Sequence, residues 1–348
     1  MPSPAEHTAW LETLSPWPKE FGLGRMRTLL AALGDPQLAY PAIHVVGTNG
    51  KSTATRTIEA LLLAEGLSVG ATVSPHVRSW AERITVGGKE IDFEAAVERV
   101  RPEAEAQAAT QFETVCAAAL AEFAARGVDV AVVEAGLGGR LDATNVLRTH
   151  VALLTNVGLE HTDVLGETRA EIAAEKLAVV QEGTIAVLPD SEFAHLAGPS
   201  VVVGGAREAA AAFLGRKVET EVEVSLPGRL EQRGEEVWDG AHNADGVRWL
   251  VARLDRNDYT VVASILRDKD TAAMLSALAT VGGRFVATQS ANERALAAGE
   301  LAHLASHHFL EVEVEPDPAA ALARAREHPP VLVTGSLYLL AAFARNEA

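Results

Sequence analysis

Apolar residues fall into two recurring arrangements along the chain: short runs rich in β-branched residues, and longer stretches in which they return at helical spacing. The clearest short run is 42-AIHVVG-47, which passes through TNGK into TATRTIEALLLAEG. That succession predicts strand, glycine loop, helix. Further strands are expected at 69-VGATV-73, 129-DVAVVE-134, 150-HVALLTNV-157 and 184-TIAVL-188, with helical segments between several of them. Such alternation predicts a mostly parallel sheet covered by helices.

The pattern weakens from about residue 198 and breaks at 225-SLPGRLE-231, where Pro and Gly interrupt any regular element. A second alternation follows, with strands at 235-EEVWD-239, 259-YTVVASI-265, 283-GRFVAT-288, 310-LEVEVE-315 and 331-VLVTG-335. Helices are expected from Asn243 to Leu254, from Thr271, near Leu296, from Pro318 and at the end. The expected organisation is therefore two α/β domains, 1–228 and 229–348. No repeat of solenoid length is present.

Composition narrows the function. The chain has 348 residues, 48% hydrophobic and 22% charged, with a formal net charge of -17. A general attraction to nucleic acid or to anionic membranes is not expected, and an anionic substrate would need local cations. One cysteine, Cys116, excludes an intrachain disulfide and a cysteine-rich zinc site. The N-terminal stretch lacks the basic start and apolar core of a secretory signal, and no apolar run approaches the roughly 20 residues needed to span a bilayer. A cytoplasmic monomer is the expectation.

Chemistry is most legible at 47-GTNGKS-52. Gly47 and Gly50 let backbone amides approach phosphate oxygens, Thr48 and Asn49 lie between them, Lys51 brings a cation, and Ser52 can bind magnesium. The usual P-loop spacing would place another glycine where this chain has Val45. Three more polar residues follow predicted strands: Ser74 in 74-SPH-76, Glu134 before a glycine-rich stretch, and His161 in 155-TNVGLEHTDVLG-166. Ligands of open α/β sheets lie beyond the carboxyl ends of the strands, so Ser52, Ser74, Glu134 and His161 could converge on magnesium bound to ATP. Taken singly, each also reads as a turn, cap or surface residue.

Together, 47-GTNGKS-52, 74-SPH-76, 82-ERI-84, 134-EAGLGGRLDATN-145, 159-LEHTDVLG-166, 175-EK-176, 227-PGRLE-231, 239-DGAHN-243 and 334-TGSLY-338 resemble folylpolyglutamate synthase and dihydrofolate synthase, of the Mur ligase superfamily. The resemblance implies a P-loop-containing, Mur-ligase-like ATPase domain and a smaller Rossmann-like C-terminal α/β domain. It implies that ATP phosphorylates a folate or dihydropteroate carboxylate, which the amine of L-glutamate then attacks. By the same resemblance Ser52 and Glu134 bind one magnesium, and Ser74, Glu134 and His161 a second.

Lys176 matches a carbamylated lysine, and Arg229, Asp239 and His242 match nucleotide-contacting positions of an ATP site between the domains. The loop 21-FGLGRM-26, with Gly22, Leu23 and Arg25, resembles the pterin-receiving loop. Ser74, Pro75 and Phe112 of 111-QFET-114 resemble further folate contacts. One departure is plain: the family's asparagine near adenine has no counterpart in 204-GGAREAAAAFLG-215. A Mur-type ligase acting on another carboxylate and a nucleotide-binding regulator are the alternative readings.

Overall fold

The two runs of strand–helix alternation become two mostly parallel sheets. The computed structural model describes residues 6–347, and the chain divides into two compact units at Val224/Ser225. In the first unit the strands are β1 (Ala42–Val46), β2 (Val69–Thr72), β3 (Ile84–Val86), β4 (Lys89–Glu90), β5 (Val130–Glu134), β6 (Thr149–Leu154), β7 (Ile185–Leu188) and β8 (Val201–Val203). Their order is β4-β3-β2-β5-β1-β6-β7-β8. All neighbours run parallel except the β2–β3 and β3–β4 pairs.

Its helices are α1 (Glu6–Thr13), α2 (Gly24–Ala32), α3 (Lys51–Ala64), α4 (Phe93–Ala106), α5 (Gln111–Arg126), α6 (Thr162–Leu165), α7 (Arg169–Leu177) and α8 (Ala206–Leu214). β1 and β5 are buried on both faces, which is why they read as unbroken apolar runs. Ile43, Val45, Val130 and Val132 pack with Ile58 and Leu61 of α3 and with Ala209 and Ala210 of α8. Ala42, Ala131 and Val133 pack with Met26 and Leu29 of α2, Val97 of α4 and Ala117 of α5. Each such buried aliphatic side chain larger than alanine contributes about 1.5–3 kcal/mol.

β1 lies between β5 and β6, so the chain departs to opposite sides of it. The strands' carboxyl ends flank a crevice of the kind that holds ligands in doubly wound sheets. The weak stretch after residue 198 holds regular structure after all: the short edge strand β8 and the alanine-rich α8. Small side chains let α8 lie closely on α3, an arrangement that helical spacing of large residues does not announce.

In the second unit β9 (Glu231–Arg233), β10 (Glu236–Trp238), β11 (Thr260–Ala263), β12 (Arg284–Ala287), β13 (Glu311–Val314) and β14 (Val331–Thr334) are ordered β13-β12-β11-β14-β10-β9. Only β9 is antiparallel to its neighbour. The helices are α9 (Ala244–Val251), α10 (Thr271–Leu278), α11 (Ala298–Ala305), α12 (Pro318–Ala325) and α13 (Leu337–Glu347). Val261, Ala263, Phe285 and Leu332 form its core with Leu250, Leu275 and Leu301. Among the described residues, no helix is long and apolar enough to cross a membrane.

Candidate active site

Gly47, Thr48, Asn49, Gly50, Lys51 and Ser52 form one continuous turn from β1 into α3. Gly47 has φ +149°, and a Cβ there would lie 1.9 Å from Thr155 Oγ1; glycine lets the turn pass this close to the segment after β6. That segment grips the turn. Asn49 N donates to Asn156 Oδ1 at 2.9 Å, and Asn156 Nδ2 donates to Asn49 O at 3.1 Å. Thr155 Oγ1 donates to the same carbonyl at 2.7 Å. Gly158 N donates to Thr48 Oγ1 at 3.0 Å. With the Asn49 amide engaged, the donors offered to a phosphate are the opening amides of α3, which have no partner inside the helix.

Glu134 ends β5 beside Val45 and is only 3% exposed. Ser52 Oγ donates to its Oε1 at 3.1 Å, and Ser74 N donates to its Oε2 at 3.0 Å. Ser52, Ser74 and Glu134 are thus joined, although they lie on three different strand–helix connections. His161 opens α6 with a left-handed backbone, φ +52°, on the connection after β6 at the same end of the sheet.

Among the described residues no three His, Cys, Asp or Glu side chains cluster closely enough to hold a metal by themselves. The carboxylate of Glu134 with the hydroxyls of Ser52 and Ser74 does fit magnesium, which is commonly held by one or two carboxylates with substrate phosphates and water supplying the rest.

Lys51 Nζ donates to Thr48 O at 3.4 Å, folding that side chain over its own loop. Lys176 approaches the loop from α7 and donates to Gly47 O at 2.9 Å. It is 4% exposed, and burial, reinforced by the charge of Lys51, lowers its pKa to about 7. A substantial fraction is therefore neutral near neutral pH.

Two of the expected folate-side residues, Arg25 and Phe112, are placed by contacts around the start of α5. Arg25 Nε donates to Glu113 Oε1 at 3.0 Å, tying the loop around Gly22 and Leu23 to the start of α5. Arg25 is thus already paired with a carboxylate. Phe112 lies against the glycine block: a Cβ on Gly136 would stand 2.6 Å from its Cζ. The ring is half-buried and packs on the core, so one face serves packing. Pro75 follows Ser74 in the turn after β2.

In the second unit Asp239 accepts hydrogen bonds from Leu230 N and Ala241 N, both at 2.8 Å. It joins the turn of Arg229 to the turn of His242, and burial raises its pKa. Arg229 Nη1 donates to Gly228 O at 3.0 Å, and His242 Nδ1 contacts Gly240 O at 2.9 Å.

The family model for the Mur ligase middle domain matches residues 45–227. The dihydrofolate synthase/folylpolyglutamate synthase of Escherichia coli is 30% identical, over 97% of this chain and 94% of that protein. The chain belongs to this family of Mur ligases.

A probable bifunctional folylpolyglutamate synthase/dihydropteroate synthase of Haloferax volcanii is 34% identical over 92% of this chain, which spans only about half, 48%, of that relative. Among solved structures, E. coli FolC in complex with DHPP and ADP superimposes with a TM-score of 0.85 at 28% identity, covering 99% of this chain and 97% of that one. The Yersinia pestis folylpolyglutamate synthase/dihydrofolate synthase complexed with AMPPNP and Mn ion gives the same score and identity, covering 99% of this chain and 98% of that one.

The structure also brings to the site residues that spacing alone does not single out. Thr155 and Asn156 hold the phosphate loop, yet their only signal in the sequence is a Thr-Asn pair after an apolar run. Arg56 and Glu59 of α3 form a buried ion pair at 2.7 Å, and Arg56 Nη2 donates to Glu82 O at 2.7 Å. This pair braces the chain after Ser74 against α3.

Proposed function

We propose that the chain is an ATP-dependent ligase that adds L-glutamate to dihydropteroate, to folates, or to both. The observation that carries the reading is the hydrogen-bonded set Ser52–Glu134–Ser74 beside a clamped phosphate loop, with Lys51 and Lys176 at the same loop. In this reading the γ-phosphoryl group passes from ATP to the substrate carboxylate, releasing ADP and leaving an acyl phosphate. The glutamate amine attacks the acyl carbon, phosphate leaves, and an amide remains.

Lys51 and the first amides of α3 offset charge on the transferring phosphoryl group. Ser52 and Glu134 would hold one magnesium ion, and Ser74, Glu134 and His161 another; such ions neutralise phosphate charge. Gly22, Leu23, Ser74, Pro75 and Phe112 line the proposed folate side, with Arg25 placing its loop. Arg229, Asp239 and His242 are the proposed nucleotide contacts of the second unit.

Lys176 is the proposed carbamylation site. Its neutral amine attacks CO2, forms the N–C bond and loses a proton, converting a buried cation into an anion. Burial favours this chemistry because it has already lowered the cost of the neutral amine. ADP release with ATP, magnesium and glutamate, supplying dihydropteroate in one reaction and tetrahydrofolate in another with products identified by mass, tests the activity. Addition of one glutamate mass supports it, and ADP release with neither substrate refutes it.

A further inference from the structure

The glycine block after Glu134 is anchored from inside the core. Asp142 accepts hydrogen bonds from Leu137 N at 2.8 Å, from Thr144 N at 3.0 Å and from the Thr144 hydroxyl. His44 Nε2 lies 2.7 Å from Thr144 Oγ1. The hydroxyl has one proton, and it goes to the carboxylate, so Thr144 Oγ1 accepts from His44 Nε2–H. His44, Thr144 and Asp142 are 0%, 1% and 6% exposed.

That assignment leaves His44 Nδ1 as an acceptor, and it is buried with no hydrogen-bond partner. An orphaned nitrogen in an apolar strand is costly, and leucine would avoid the cost. Burial also pulls the His44 pKa down to about 3, so at working pH the ring is a fixed neutral donor. Three residues further along the chain β1 has become the phosphate loop, whose own clamp is Asn156. The two sides of the site are therefore supported separately, the glycine block from His44 of β1 and the phosphate loop from Asn156 after β6.

We infer that His44 is a positioning residue for the pteroate-bearing substrate: through Thr144 it fixes Asp142, which sets the course of residues 135–145 against Phe112. This rests on the folate reading of that loop. His44→Leu should raise the KM for dihydropteroate or tetrahydrofolate about tenfold while ADP affinity stays within about twofold, because one hydrogen bond to the loop is lost and the phosphate clamp is untouched. Its Tm should equal or exceed that of the parent. His44→Gln should recover most of the loss by restoring an N–H donor. Thr144→Val should match His44→Leu, and the double variant should be little worse than either single change, since both cut one chain of contacts.

Hydrogen exchange supplies a readout that needs no substrate. In His44→Leu the amides of Leu137 and Thr144 should exchange about tenfold faster or more, with the Asn49 amide unchanged. Unchanged exchange at Leu137 and Thr144 overturns the inference whatever the substrate proves to be. A KM within about twofold of the parent, or equal losses in pteroate and ADP binding with a lowered Tm, also overturns it. Faster exchange in a protein that turns over neither folate substrate strikes the folate reading and leaves the anchoring role standing.

Discussion

Asn156 holds both the N–H and the C=O of Asn49 with a single side-chain amide, at 2.9 and 3.1 Å. The pairing imitates two backbone hydrogen bonds of a sheet, at a place where a turn cannot make them. It also directs the phosphate-binding role toward the amides of Gly50, Lys51 and Ser52. Asn156→Ala removes two hydrogen bonds of about 1 kcal/mol each and frees the loop, so ATP affinity should fall roughly ten- to thirtyfold, by calorimetric titration, with Tm lowered by a few degrees. Asn156→Asp should be worse, since its carboxylate faces the Asn49 carbonyl and lies near the phosphates.

Gly47→Ala should be more damaging than its size suggests. The new methyl would meet Thr155 Oγ1 at 1.9 Å, in a backbone conformation of φ +149°. Strain of about 1–3 kcal/mol must be relieved by moving the loop. ADP binding should drop at least tenfold, while far-UV circular dichroism remains that of the parent.

Much of this was legible in the sequence, for identifiable reasons. β1 and β5 are buried on both faces, so they appear as apolar runs, and Ser52 and Glu134, which the fold brings within hydrogen-bond distance, announce themselves by chemistry after strands. The clamp by Thr155 and Asn156 was not legible, because it acts on backbone atoms more than a hundred residues away. β8 and α8 were missed because a three-residue edge strand and an alanine-rich helix carry little periodic signal. His44 hid within an apolar run, where only the fold reveals its partner Thr144.

Lys176 gives the protein a pH and CO2 signature. Its folded pKa of about 7 lies below the ordinary value of about 10.4, so folding disfavours the charged form. The resulting penalty is complete below pH 7 and fades as pH rises towards the unfolded value. Lys176→Met should therefore raise Tm most below pH 7, with the advantage shrinking at higher pH. Turnover should fall in CO2-free buffer and return on adding bicarbonate, more completely at pH 8 than at pH 6. Turnover indifferent to bicarbonate at both pH values contradicts the carbamate.

Glu134→Gln keeps one acceptor oxygen, which can serve the Ser74 amide while its NH2 donates to Ser52 Oγ, but removes the charge that both connections surround. The fold should persist, and ADP release should fall by about a hundredfold or more, in line with the loss of one electrostatic group at a transferring phosphoryl. Lys51→Ala should behave similarly. Turnover within threefold of the parent in either variant contradicts the site.

The most direct test is product mass after incubation with ATP, magnesium, L-glutamate and either dihydropteroate or tetrahydrofolate. The expected result is a pteroate-bearing product heavier by one condensed glutamate, with one ADP released for each amide formed and none without the carboxylate substrate. ATP bound but no ADP released and no glutamate adduct with either substrate would contradict the ligase.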